Sequence, residues 1–167
     1  ETVSVGAVDA VHDISLLVDP TTCGAPGYRV EVSGLQEAFE SPTAPPGWTV
    51  VDNTTGGGWV FTDDHNRGNL TGGSGGFAII DSDHLGVGKT QDTELRSPVL
   101  DLSTSTSPSI GFNHDFRAFP NSFADLDLSI DGGVTWATLV HNVNAARGPR
   151  FDQFPIPQAA GKPAVQV

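Results

Sequence analysis

The chain has no methionine, one cysteine and one tyrosine, and only 8 lysines and arginines stand against 20 aspartates and glutamates. Lacking methionine and opening on Glu1, it reads as a processed or excised part of a longer protein. The lone Cys23, in TTCGAPGY, has no second cysteine to join within these boundaries, which excludes an internal disulfide framework. A free thiol, a partner elsewhere and a chance residue beside a turn all stay open. The formal charge of −12 repels a nucleic-acid backbone and an anionic membrane surface alike. No apolar run reaches the length of a membrane span and no signal-peptide pattern opens the chain, so a soluble chain with no nucleic-acid partner is expected.

Glycine and proline are plentiful, at 20 and 12 of 167 residues, while hydrophobic residues make up 37% and charged ones 17%. That balance favours many short strands over long helices and predicts an all-β protein. At the start, Val3, Val5, Val11, Ile14, Leu16 and Val18 recur with strand spacing until Pro20. Residues 1–18 therefore read as the last strand or two of a preceding immunoglobulin-like module, or as a free donor strand. Residues 19–27 read as a linker, and 28–167 as the main domain. Strand-like runs then follow as YRVEVSG, QEAFES, GWTVVD, GGWVFTD, FAIIDSD, ELRSPVLDL, PSIGFNHDFRAF, ADLDLSIDGG and VTWATLVH. In the last two, Leu126, Leu128 and Ile130 face one way, Asp131-Gly132-Gly133 turns, and Val134 and Trp136 return, which predicts a hairpin. Alternation restarts at Ala164–Val167 and then stops, predicting a strand cut short and an open sheet edge that could recruit another chain.

In order along the chain, Glu37 to Glu40, the Pro45–Trp48 turn, Trp59, the strand ending in Asp81, SPVLDLS and the DGG-x-TW hairpin form a recurring series. Roughly from residue 35 to 141, the chain resembles the jelly-roll domains called choice-of-anchor or cleaved-adhesin domains. These are similar to the adhesin modules of gingipains and, more remotely, to MAM domains. Residues 1–18 similarly resemble the closing strand of carboxypeptidase-regulatory-like domains. The resemblance implies a β-sandwich of two antiparallel sheets, non-catalytic and appended to secreted peptidases or surface proteins of bacteria. It also implies stabilisation by calcium. Family members continue into a further strand, rich in aromatic and acidic residues, so the resemblance implies a jelly roll lacking its final strand here.

Calcium wants six to eight oxygen ligands in a loop able to bend around it. Asp81, Asp83, Asp92 and Glu94 bracket the glycine-rich HLGVGKT, and Glu40 stands where jelly rolls often donate a ligand. The expected metal ligands are Asp81, Asp83, Asp92 and Glu40, with Asp63, Asp64 and Asn66 as a further oxygen-rich turn. The alternative is that these acids are solvated turn residues that cap their own loops. No segment fits an EF-hand, and no histidine falls in a zinc spacing. GGSGG at residues 72–76 matches the nucleophile-elbow pattern, but a loop precedes Ser74 and a strand follows it, so no catalytic residue is expected. Trp48, Trp59 and Trp136 read as core. FRAFPNSF at 116–123 reads as an exposed aromatic loop whose Phe116, Phe119 and Phe123 would meet a protein or glycan ligand. The function expected is an accessory or adhesion module. Strand-exchange assembly and carbohydrate binding are the alternatives.

Overall fold

Glycine and proline cut the apolar positions into short runs, and the computed structural model, which describes residues 34–167, follows those cuts. In chain order it forms β1 (Thr49–Asp52), α1 (Ser82–Leu85), β2 (Thr93–Arg96), β3 (Ser109–Phe116), β4 (Phe123–Leu128), β5 (Ala137–Val143) and β6 (Arg147–Pro155). Three antiparallel pairs result, β1 with β2, β3 with β6 and β4 with β5. Apart from α1, the only helix among the described residues is a 3-10 turn at Pro157–Ala159. The described residues are therefore mostly β, and none of their helices is long and apolar enough to cross a membrane. The expected N-terminal strand, the linker, Cys23 and most of the strand from Tyr28 lie outside the described residues.

The predicted hairpin forms as β4 and β5, running from the Phe123–Val143 pair to the Leu128–Ala137 pair. Its connection is longer than three residues, because the Asp131 side chain organises everything from Ser129 to Trp136. The Asp131 carboxylate accepts the backbone N–H of Thr135 at 2.9 Å and of Val134 at 3.2 Å, together with the hydroxyls of Thr135 and Ser129. Ser129 Oγ in turn accepts the Gly133 N–H at 2.8 Å, and the Trp136 indole N–H donates to the Gly133 carbonyl at 3.1 Å. The Thr135 bonds, followed by Ser129 and Val134, lower the Asp131 pKa to about 2 from its ordinary 3.8. A carboxyl whose folded pKa lies below its unfolded one stabilises fully above the unfolded value, and that support is lost as pH falls toward about 2. Asp131→Ala is therefore expected to lower the melting temperature by several degrees near neutral pH. Paired melts down to about pH 2 should show the gap from the parent closing, because protonation removes the same bonds.

The C-terminal stretch, expected to leave a sheet edge open, is bonded on both sides. Val165 exchanges backbone bonds with Leu100 at 2.7 and 2.8 Å, and Gln166 does so with Ser129 at 2.8 and 3.0 Å. Val165 is buried there beside Leu128, Ile156 and Ala159, with Leu102, Ile110, Leu139 and Val167 packed against them. The core thus sits where the chain's last residues meet β4 and the 3-10 turn. A second apolar group lies near the start of the described chain. Phe39 meets Trp48 edge-on with centroids 5.0 Å apart and stacks on Phe61 at 5.8 Å. Gly75 and Gly76 let that segment pass, since a methyl on Gly76 would overlap the Phe39 carbonyl.

Several expected strands shrink. QEAFES is irregular, and GGWVFTD and FAIIDSD keep a single bridge, Val60 to Ile79. One strand was not expected. β6 runs nine residues through Pro149 and Pro155, and it pairs with β3 from Ser109–Pro155 to Phe116–Arg147. Prolines fit there because β3 is its one partner among the described strands, leaving the other flank without ladder bonds to supply.

Candidate functional site

Asp81 ends the apolar run of residues 77–80 as a cap. Its carboxylate accepts the His84 N–H at 3.1 Å and so starts the single turn α1. Arg67 forks onto the same carboxylate, with Nε 2.8 Å and Nη2 3.0 Å from its two oxygens, and Nη2 also reaches Asp83 at 3.2 Å. Arg67, above all, holds the Asp81 pKa below the ordinary carboxylate value. His65 lies 3.4 Å from Asp81, and its ring stacks on that of His84 with centroids 3.4 Å apart. Asp81, Arg67, His65 and His84, with Asp63, Asp64 and the glycines at 56–58, line a recess of about 150 Å³.

The expected calcium ligands fall in separate places. Asp81 and Asp83 share Arg67, while Asp92 accepts from the Asn53 amide at 3.2 Å, as does Glu94. Glu40 lies against Gly75. Asp63 caps its own loop, accepting the N–H groups of Arg67 at 2.6 Å and Gly68 at 3.0 Å. Among the described residues, no three histidine, cysteine, aspartate or glutamate side chains converge as a metal cage requires. A cation at Asp81 would have to displace an arginine already paired in bidentate fashion, so the residues present do not fit the ion that the resemblance implies. Ser74 is exposed in its loop, and no histidine or carboxylate among the described residues hydrogen-bonds to it.

The expected aromatic ligand residues come together at one end of the strands. The 117–122 connection from β3 to β4 and the 144–146 connection from β5 to β6 lie side by side, joined by the Asn144 N–H and the Ser122 carbonyl at 2.8 Å. Within the first, Ser122 N–H donates back to the Phe119 carbonyl at 3.0 Å, and Asn121 adopts φ 68° after Pro120. That is a type II turn with proline and asparagine in the positions each favours. It leaves Phe119 53% and Phe123 63% exposed, with Val143, the cross-strand partner of Phe123, 48% exposed. Phe116 is half-buried at the end of β3, opposite Arg147. Water-facing apolar side chains gathered on one turn and one strand pair are a usual mark of a contact surface.

Behind these aromatics lies a charge cluster that was not anticipated. Asp152 on β6, 6% exposed, accepts from Arg147 Nε at 2.8 Å and from His114 Nε2 at 2.8 Å, and Arg150 Nε stands 2.7 Å away. The Arg147 bond, with help from His114 and Arg150, brings the Asp152 pKa down to about 2. Arg117 pairs with Asp115 at 3.2 Å beside it. The local signal was RGPRFD, two arginines and an aspartate in alternate or near-alternate strand positions. A proline inside such a run is a poor strand signal, and His114 reaches Asp152 from 38 residues away, so the pattern alone does not reveal the convergence.

No protein-family model, curated protein or solved structure matches this chain.

Proposed function

We propose that this chain is a non-catalytic binding module of a secreted or cell-surface bacterial protein, a β-sandwich of the jelly-roll kind that offers one end to a protein or glycan ligand. The observation that carries this is the exposure of Phe119, Phe123 and Val143 at a single end, on a turn and strand pair fixed by backbone bonds. An aromatic ring held rigidly in water loses little conformational freedom when a ligand covers it. The antiparallel β architecture supports the sandwich assignment. The strand-exchange alternative turns on residues 1–18, which lie outside the described residues; of its proposed open edges, the one at Ala164–Val167 is flanked on both sides.

Glycan-array and polysaccharide retention measurements test the proposal. Phe119→Ser with Phe123→Ser is expected to weaken retention at least tenfold, the scale of removing contact hot spots worth more than about 1 kcal/mol each. Melting should stay unchanged, because both rings face solvent. Retention untouched by the pair of substitutions would remove the aromatic end as the binding surface.

The module we propose is stiffened by direct side-chain bonds in place of calcium. Melting of the whole chain in millimolar calcium and in excess chelator is expected to agree to within about a degree, whereas an ion bound at 100 times its Kd would add about 2.7 kcal/mol. A clear upward shift in calcium would overturn that part of the proposal.

A further inference from the structure

The five arginines among the described residues divide into two kinds. Arg67 and Arg96 commit terminal nitrogens to their acids, Arg67 through Nη2 to Asp81 and Asp83, and Arg96 through Nη2 to Glu94 at 2.6 Å. Arg117 and Arg147 instead donate to their acids through Nε, Arg150 sets its Nε 2.7 Å from Asp152, and the terminal nitrogens of all three make no hydrogen bond among the described residues. All three stand at the end that exposes Phe119 and Phe123. A guanidinium anchored at Nε by a carboxylate behind it is held in direction, and its outer edge can make two parallel bonds to a carboxylate in front. Three of the 8 basic residues of a chain of charge −12 are gathered at one end, so the acids there are locally compensated and an approaching anion meets less repulsion than the net charge implies.

We propose that this end binds an acidic polysaccharide of uronate residues. This rests on the binding-module proposal above and names its ligand class. A uronate chain presents in each unit both groups that this end could engage: an apolar ring face for Phe119 and Phe123, and a carboxylate for the outer edges of Arg117, Arg147 and Arg150. Asp115 and Asp152 lie inward, at 10% and 6% side-chain exposure, and Asp125, two residues along β4 from Phe123, is 28% exposed and paired with His141, so Arg117 and Arg150 are more exposed than the acids beside them. The surrounding negative surface disfavours any anion that does not engage these particular groups.

Affinity electrophoresis of the whole chain tests this, with sodium polygalacturonate and its fully methyl-esterified form as paired probes and a polyglutamate peptide as the third arm. The esterified chain keeps the rings and loses the charge. Retardation is expected in polygalacturonate, weaker by about tenfold in the ester and falling with added salt. Arg117→Gln, at a side chain 72% exposed, is expected to weaken polygalacturonate binding several-fold without altering melting. Adding Arg150→Gln, which leaves Arg147 and His114 on Asp152, should reduce it further and flatten the salt dependence. Equal binding of acid and ester, or arginine variants without effect while Phe119→Ser still acts, would overturn the uronate assignment and leave the binding module standing. Retention of polyglutamate with no retardation by either polysaccharide would assign an acidic peptide in place of uronate. Loss of every interaction at this end would overturn both proposals.

Discussion

Asp152→Asn is expected to destabilise the fold by about 3 kcal/mol, because it removes the one counter-charge that Arg147, Arg150 and His114 share. The asparagine keeps the shape and can accept one bond, but two guanidiniums are left close together with nothing between them. Arg147 and Arg150 are 35% and 53% exposed, so water recovers part of the loss and holds the figure to the lower end of the range for a broken buried pair. Urea unfolding near pH 7 measures it. The pH dependence has a definite sign. The folded pKa of Asp152 is about 2, below the ordinary 3.8, so the parent loses this stabilisation as pH falls through that interval while the variant does not. A midpoint unchanged by the substitution would mean that the cluster contributes nothing to folding.

Gly76→Ala is expected to destabilise by a comparable amount, about 1–3 kcal/mol, through overpacking. The added methyl would meet the Phe39 carbonyl and the Glu40 Cα, which are backbone atoms and cannot swing aside as a side-chain end can. Relief requires the 39–40 segment to lift, and Phe39 then withdraws from Trp48, which it touches edge-on. The expected signature is a lower melting temperature together with altered tryptophan fluorescence in the folded protein. Ser74→Ala, two residues earlier and exposed, is the matched control and should change neither. Were both variants to melt like the parent, the close crossing of the two segments would not exist in solution.

The hairpin was legible because Leu126 and Leu128 alternate with aspartates on one side of DGG and the return strand follows at once, so local pattern and local pairing agree. The aromatic end was legible for a similar reason, since FPNS is a turn by its own chemistry. β6 was not, because the rule that demotes a proline-bearing run applies to central strands and this one has a single neighbour among the described strands. The acids around HLGVGKT looked like one oxygen-rich loop when written in a line. In space Arg67, from a different turn, reaches across 14 residues to claim Asp81, and Asn53 reaches across 39 to claim Asp92. A carboxylate's partner is set by such distant approaches, which sequence spacing does not carry.

Pro149 and Pro155 withhold two amide hydrogens from the flank of β6, and the register shift that makes Leu139 an extra residue kinks β5. Exposed borders of this kind make poor templates for stacking copy upon copy into fibres. Copies of this chain at high concentration are therefore expected to resist edge-to-edge pairing along β6 and β5.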